Sequence, residues 1–150
     1  MDKTIGIFGG GQLGRMMAQA ALPLNIQCTF FEANTDCPAG VLGQVFSSQD
    51  EQGLKQFIES ADVFSLEFEN TPVADVDVLT QTKTLHPPRI ALATAQNRLS
   101  EKALFDELAI PVAPYRAVDS LESLKKAVAE LGLPIVLKTC LLYTSDAADE

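Results

Sequence analysis

The sequence predicts an α/β fold built on a parallel sheet, because short apolar runs alternate with stretches whose apolar residues recur at helical spacing. The strand-like runs are residues 4–8, 26–31 and 62–68, and a glycine cluster follows the first of them. Helical spacing follows in residues 13–21, 50–60 and 73–80. Parallel strands need crossover connections of this kind, so the alternation favours a layered α/β domain.

The second half of the chain predicts a separate unit. His86-Pro87-Pro88 punctuates the sequence, and residues 89–109 have a helical pattern that we expect to break near Asn97. Residues 110–114 predict an extended linker, because each proline restricts the residue before it. A helix is expected at 120–131, with Ser120 as N-cap and Gly132 as C-cap, and a strand at 135–139. We therefore place one domain at 1–95 and the start of another at 96–139.

Composition excludes several classes of function. The chain has 150 residues, 47% of them hydrophobic, and a net charge of −9, so phosphate backbones and anionic lipids would repel it. We therefore expect no nucleic-acid partner. No apolar run approaches the ~18 residues of a spanning helix, so we expect no membrane partner either. The sequence opens without an export signal, and its three cysteines lack metal-ligand or CxxC spacing. These features predict a cytoplasmic protein.

The segment Gly9-Gly10-Gly11-Gln12-Leu13-Gly14 has the spacing G-x-G-x-x-G between a strand and a helix. Glu32 ends the next strand, where a dinucleotide-binding fold has its ribose-binding acid. Glycines allow a close approach of the backbone to an anion, and a helix N-terminus attracts negative charge. Three interpretations stay open here: a nicotinamide or flavin cofactor, another phosphate-bearing ligand, and a tight turn without a ligand.

Polar groups also follow the strand at 62–68. Glu67 and Glu69 lie two apart, so they point the same way from the sheet, at the edge where ligands of open α/β sheets bind. Such carboxylates can accept hydrogen bonds from ribose hydroxyls, transfer protons or hold a metal ion. They can equally form an exposed polar strand end, and the pattern alone does not decide between these interpretations.

Two cations are candidate anion ligands. Lys138 lies in the apolar run 135–139, where an inward-pointing lysine is costly unless it meets an anion, although an edge strand would leave it in water. Arg98 lies at the start of a predicted helix and is either a phosphate ligand or a solvated cation. A guanidinium can bind phosphate oxygens bidentately, and a lysine acts as a point charge.

Five segments in register resemble the N5-carboxyaminoimidazole ribonucleotide synthetases, a family of ATP-grasp ligases. They cover residues 4–139, and although each one alone is a weak signal, together they are strong. The segments are Gly-Gly-Gly-Gln-Leu-Gly-Arg-Met at 9–16, Ser-Leu-Glu-Phe-Glu-Asn at 65–70, Ala-Gln-Asn-Arg-Leu-Ser-Glu-Lys at 95–102, Ile-Pro-Val-Ala-Pro-Tyr at 110–115 and Ile-Val-Leu-Lys-Thr at 135–139.

The resemblance implies a Rossmann-like pre-ATP-grasp domain that binds no dinucleotide, followed by the truncated start of an ATP-grasp domain. Its glycine loop would cradle aminoimidazole ribonucleotide, with Gln12, Leu13 and Glu67 as substrate contacts. Arg98 and Lys138 would contact the phosphates of ATP. The implied reaction joins bicarbonate to the substrate amine in purine biosynthesis, in a homodimer.

Some parts of the implied machinery are not expected within this chain. Mg²⁺ would be held by acids beyond residue 139, so we assign no catalytic residue and no metal ligand here, and we expect the chain by itself to be inactive. Residues 140–150 depart from the family pattern and resemble a translated sequencing adapter, which predicts a tail of non-biological origin.

Two other enzyme classes compete with this interpretation. A formate-dependent glycinamide ribonucleotide transformylase shares the architecture but is expected to carry an acid where this chain has Gln12. A NAD(P)-dependent oxidoreductase would explain the glycine loop, but it would give Arg98 and Lys138 no role.

Overall fold

A computed structural model describes residues 3–141 and contains a five-stranded sheet in which every neighbouring pair of strands is parallel. The order across the sheet is β3-β2-β1-β4-β5. The strands are β1 Lys3–Phe8, β2 Ile26–Glu32, β3 Gln44–Ser47, β4 Val63–Leu66 and β5 Thr84–His86. The α/β class predicted from the sequence is confirmed.

The described part of the chain also contains six α-helices and two short 3₁₀ turns, at Leu22–Leu24 and Pro38–Val41. None of these helices is both long and apolar enough to cross a membrane. The helices are α1 Gln12–Ala21, α2 Gly53–Ser60, α3 Val73–Leu79, α4 Arg89–Ala95, α5 Arg98–Glu107 and α6 Leu121–Leu131.

The strand order creates a switch point between β1 and β4. The chain moves outward from β1 to β2 and β3, and then returns to place β4 on the other side of β1. Connections therefore leave the carboxyl ends of β1 and β4 in opposite directions, which opens a crevice at that edge. The segments that follow these two strands are the glycine loop and the loop that contains Glu67.

Both faces of the sheet are covered. One face packs against α1 through Ile7, Cys28 and Phe30, and burial raises the pKa of the Cys28 thiol. The opposite face is aromatic, and the fully buried Phe57 of α2 lies at its centre. Its ring centroid lies 5.1 to 6.2 Å from those of four rings, one each from β1, β2, β3 and β4, namely Phe8, Phe31, Phe46 and Phe64.

The chain divides into two compact units, Met1–Ala93 and Thr94–Glu150. In the second unit, α5 begins where the helical pattern was expected to break, and Asn97 Oδ1 accepts from the amides of Leu99 and Ser100 at 3.0 and 3.1 Å. Ser120 caps α6 as predicted, and Ser123 completes a capping box, a role for which glutamate is more usual.

Three elements differ from the sequence prediction. The short strands β3 and β5 were not predicted, because four and three residues are too few to show a clear period. The predicted strand at 135–139 is wrong: these residues are assigned to no strand within the described chain. An apolar run becomes a strand only where a neighbouring strand pairs its backbone groups.

The proposed non-biological tail lies mostly outside the described residues, which end at Leu141. Leu141 forms an isolated antiparallel bridge with Asn97, and the Arg98 amide donates to the Cys140 carbonyl at 2.8 Å. The origin of residues 140–150 stays a prediction.

Truncating Phe57 tests the aromatic core. We expect Phe57→Ala to lower the free energy of unfolding by about 3–5 kcal/mol, because it leaves a cavity among four other rings. Urea denaturation followed by far-ultraviolet circular dichroism measures the change. Leu24→Ala is the control, since Leu24 is 68% exposed and its loss should cost less than about 1 kcal/mol. Equal losses in both variants would show that the ring cluster is not the core.

Candidate functional site

The candidate site lies at the switch point, where two loops meet beyond the sheet edge. Gly9 follows β1 directly, and Glu67 follows β4 directly. The Gly9 amide donates to the Phe31 carbonyl at 3.0 Å, and the Glu67 amide donates to the Phe8 carbonyl at 2.9 Å. Backbone hydrogen bonds therefore join both loops to the strands and fix the backbone positions from which the loop side chains project.

The half-buried Glu67 carboxylate lies inside the glycine loop. Its Oε2 accepts a hydrogen bond from the Gly11 amide at 2.9 Å, just before the first turn of α1. The positive end of the helix dipole and the amide both favour a carboxylate at this position. Glu67 therefore caps α1 from another part of the chain, because the N-cap residue Gly11 has no side chain that could do so.

The three glycines of the G-x-G-x-x-G spacing make room for this carboxylate. A Cβ atom added at Gly9 would lie 2.5 Å from Glu67 Oε2, and one at Gly11 would lie 2.5 Å from Glu67 Oε1. A Cβ at Gly14 would lie 2.9 Å from Oε2 and 2.8 Å from the Gly9 carbonyl oxygen. Gly9 also has a φ of 107°, which residues other than glycine rarely adopt.

Glu32 binds the same loop from its other side. Its Oε2 accepts from the Gly10 amide at 3.1 Å and its Oε1 from the Ala33 amide at 2.7 Å. Glu32 is the last residue of β2, and its side chain turns back onto the loop. The Cys37 side chain also lies against Gly10, whose carbonyl accepts from the Ala39 amide at 2.9 Å.

The two loop amides that sequence reasoning offered to a phosphate are thus bound to carboxylates of the chain itself. A phosphate could reach the Gly10 and Gly11 amides only by displacing Glu32 and Glu67. The amides of the first helical residues are different, because the first turn of an α-helix leaves its N–H groups without intrahelical partners.

Gln12 and Leu13 are these first helical residues, and both are exposed. They directly follow Gly11, the residue that holds the Glu67 carboxylate. The fold therefore brings Gln12, Leu13 and Glu67, the three predicted substrate contacts, to one edge of the sheet. Their contact with a ligand stays a prediction.

Asn70 is a further polar group that the sequence analysis gave no role. Its Oδ1 is buried and has no hydrogen-bond partner within the described part of the chain. Such atoms in native proteins call for an explanation, often a water molecule or a ligand. Its place three residues after Glu67 was visible in the sequence, but its burial was not.

Arg98 and Lys138 lie in the second unit, where they line a groove of about 600 Å³ together with Lys102, Tyr115 and Thr139. The ion pairs found among the described residues include neither Arg98 nor Lys138. Tyr115 donates to Asp106 Oδ2 at 2.8 Å, and that hydrogen bond raises the pKa of the tyrosine. The groove therefore presents positive charge.

The reason given for Lys138 as an anion ligand needs correction. The sequence argument placed it on an apolar strand, either pointing inward towards an anion or lying in water at an edge, but the residue is exposed and belongs to no strand among the described residues. Burial therefore does not demand an anion near Lys138. What remains is its position in a groove that it shares with Arg98.

The described residues contain no cluster of three or more His, Cys, Asp or Glu side chains that could hold a metal ion. The paired acids Glu67 and Glu69 do not form such a cluster.

Comparison with known proteins identifies the family. A family model described as the ribonucleotide synthetase preATP-grasp domain matches residues 1–96. The chain is 40% identical over 138 residues to N5-carboxyaminoimidazole ribonucleotide synthase of Brucella melitensis, an alignment that covers 90% of this chain and 38% of the relative. The Pseudomonas aeruginosa synthase is 38% identical over 137 residues, which is 90% of this chain and 38% of that protein.

Solved structures give the same result. The N5-carboxyaminoimidazole ribonucleotide synthetase of Thermus thermophilus matches with a TM-score of 0.85 and 39% identity, over 95% of this chain and 41% of that one. The Aspergillus clavatus synthase, solved with ADP and 5-aminoimidazole ribonucleotide, matches with a TM-score of 0.79 and 28% identity, over 89% of this chain and 37% of that one.

The chain belongs to the ribonucleotide synthetase preATP-grasp domain family. The aligned part spans 38% of the length of the two synthases named above.

A double-mutant cycle tests the contact between Gly11 and Glu67. Gly11→Ala places a methyl group on the Glu67 carboxylate, so we expect the hydrogen bond to break at a cost of about 1.5–3 kcal/mol in unfolding free energy. Gly11 has a φ of −74°, so alanine is allowed there and steric overlap is the main effect.

The cycle compares Gly11→Ala in the wild-type chain and in Glu67→Ala, with urea denaturation as the measurement. With the carboxylate removed, we expect the alanine to cost at least about 1 kcal/mol less, since residues in contact give non-additive effects. Additivity within about 0.5 kcal/mol would contradict the contact.

Proposed function

We propose that this member of the preATP-grasp family provides the ribonucleotide-binding domain of an enzyme that carboxylates 5-aminoimidazole ribonucleotide with bicarbonate and ATP. The observation that carries the proposal is the Glu67 carboxylate, which is held at the switch point by the Gly11 amide. The relatives named as N5-carboxyaminoimidazole ribonucleotide synthases supply the reaction. The proposed carboxylation would take place in the cytoplasm.

Glu67 suits a hydroxyl-bearing ligand because its two oxygens have different partners. Oε2 is bound to the Gly11 amide, whereas no hydrogen bond to Oε1 is found within the described residues. A carboxylate fixed through one oxygen can direct the other at a ribose hydroxyl without first losing side-chain freedom. The substrate of the proposed reaction has such hydroxyls on its ribose.

Gln12 and Leu13 add the second half of the substrate contact. Their amides belong to the first turn of α1, where N–H groups have no intrahelical partner, and both side chains are exposed to an approaching ligand. We propose that these groups bind polar atoms of the ribonucleotide next to the ribose that Glu67 holds.

The second unit is proposed to contact ATP. Arg98 and Lys138 supply two positive charges to one groove, and phosphate oxygens are the ligands that suit them. This division gives residues 1–95 the ribonucleotide and residues 96–139 a part of the nucleotide site.

In the proposed reaction, ATP phosphorylates bicarbonate, and the resulting carboxyphosphate transfers its carboxyl group to the substrate amine with release of phosphate. Splitting the carboxylation in two replaces one difficult step by two easier ones. The residues proposed here bind and orient the reactants and transfer no proton. Mg²⁺ would neutralise phosphate charge, and the described residues contain no cluster of side chains that could hold it. A homodimer is part of the same proposal.

Steady-state kinetics test the division of labour in a full-length synthase that carries this chain as its N-terminal part. Glu67→Ala removes a charged hydrogen-bond acceptor worth about 1.5–3 kcal/mol, so the KM for the ribonucleotide should rise roughly 10- to 150-fold. The KM for ATP should stay within about twofold, because ATP is bound by other residues.

Lys138→Ala should give the reverse pattern, with a raised KM for ATP and an unchanged KM for the ribonucleotide. Glu59→Ala and Lys125→Ala are the controls, since they remove the same two types of charged side chain from exposed helix positions. If Glu67→Ala weakens ATP and spares the ribonucleotide, the assignment of substrates to the two units is wrong.

A further inference from the structure

The glycine loop carries the spacing of a dinucleotide-binding loop, but its contacts are used differently. In dinucleotide folds, the glycines let the backbone approach a pyrophosphate at the helix N-terminus, and an acid at the end of the second strand binds a ribose hydroxyl. This chain has both features in sequence, as Gly9, Gly11 and Gly14 followed by Glu32. The structure gives each of them another partner.

Glu67 fills the space that the three glycines open. Added Cβ atoms at Gly9, Gly11 and Gly14 would all come within 2.9 Å of its carboxylate oxygens, and the Gly11 amide already donates to it. The carboxylate thus lies too close for a Cβ at each of these positions, while the Gly9 carbonyl oxygen also opposes a side chain at Gly14 and the left-handed φ of Gly9 favours glycine there. No external anion is needed to explain why these positions lack side chains.

Glu32 is engaged in the same way on the other side of the loop. Its two oxygens accept from the Gly10 and Ala33 amides, so the acid that would bind a cofactor ribose is held by the backbone. A pyrophosphate at this loop would meet two carboxylates and lose two amide donors. Both effects oppose the binding of an anion, but only the loss of the donors persists when a neutral side chain of the same shape replaces a carboxylate.

We propose that Glu67 is the glycine loop's own occupant and closes the loop to pyrophosphate-bearing ligands such as dinucleotides. Rejection of these ligands is a property of the loop separate from the ribonucleotide binding proposed above. Occupancy of the space and of the Gly11 amide is the cause, so a side chain of the same shape closes the loop with or without its charge.

Titration of the isotope-labelled 150-residue chain with inorganic pyrophosphate, followed by amide NMR, tests the proposal. The wild-type chain should show no saturable shift at Gly9, Gly11 and Gly14 below ~1 mM pyrophosphate. Glu67→Ala vacates the space and should bind at least ~10-fold more tightly, with shifts centred on these amides. Glu67→Gln keeps the shape and should stay within about threefold of the wild type. NADH is titrated in parallel as a complete dinucleotide.

Controls keep the result interpretable. Glu59→Ala removes one exposed carboxylate from α2 and should not open the loop. Glu67→Ser, which leaves only a small acceptor, is a second vacating variant in case Glu67→Ala does not give a folded amide spectrum.

Three outcomes overturn the proposal. One is saturable pyrophosphate binding at the loop of the wild-type chain, and another is a folded vacating variant that binds no better than the wild type. The third is Glu67→Gln opening the loop as far as Glu67→Ala, which would make charge the cause. None of them involves the ribonucleotide, so failure here leaves the proposed function standing, and failure of the kinetic test leaves this proposal standing.

Discussion

The hydrogen bond from the Gly11 amide to the Glu67 carboxylate connects the fold to the candidate function. It joins the segment after β1 to the segment after β4, two positions 56 residues apart in the chain. It also satisfies the amide of the N-cap residue Gly11, one of the donors that a helix N-terminus leaves without an intrahelical partner. Because the same carboxylate is the proposed ribose ligand, one contact both stabilises α1 and positions the site.

This contact exists only because the sheet is wound in two directions. The order β3-β2-β1-β4-β5 makes β1 and β4 neighbours, and Phe8 pairs with Leu66 immediately before the two loops begin. Below that edge, Phe57 packs on a ring from each of the two strands, Phe8 of β1 and Phe64 of β4. The aromatic core therefore supports the site from beneath, although none of its members is a proposed ligand contact.

Sequence reasoning could predict the fold class and the meeting of these loops, because both follow from the alternation of elements and from where parallel strands end. It could not predict what occupies the loop. A glycine in the sequence shows that a side chain is missing, not which group fills the space, so Gly9, Gly11 and Gly14 fitted a phosphate as well as they fit Glu67. For Lys138 the error had another origin: an apolar run predicts a strand only if a partner strand is present, and residues 135–139 belong to none within the described chain.

The glycine spacing alone fits both a bound pyrophosphate and a carboxylate of the chain itself. The residue that directly follows β4, the strand beside β1 across the switch point, helps to distinguish the two. A carboxylate placed directly after that strand is within reach of the helix N-terminus, where an amide and the helix dipole stabilise it. An external anion would then have to compete with a group that is already present in the chain at no cost in translational entropy. Glu67 meets this condition, whereas an acid at the end of β2, such as Glu32, also belongs to the dinucleotide-binding pattern. The acid after β4, and neither the glycines nor Glu32, is therefore the part of the sequence that distinguishes a loop for a pyrophosphate from a loop for a carboxylate.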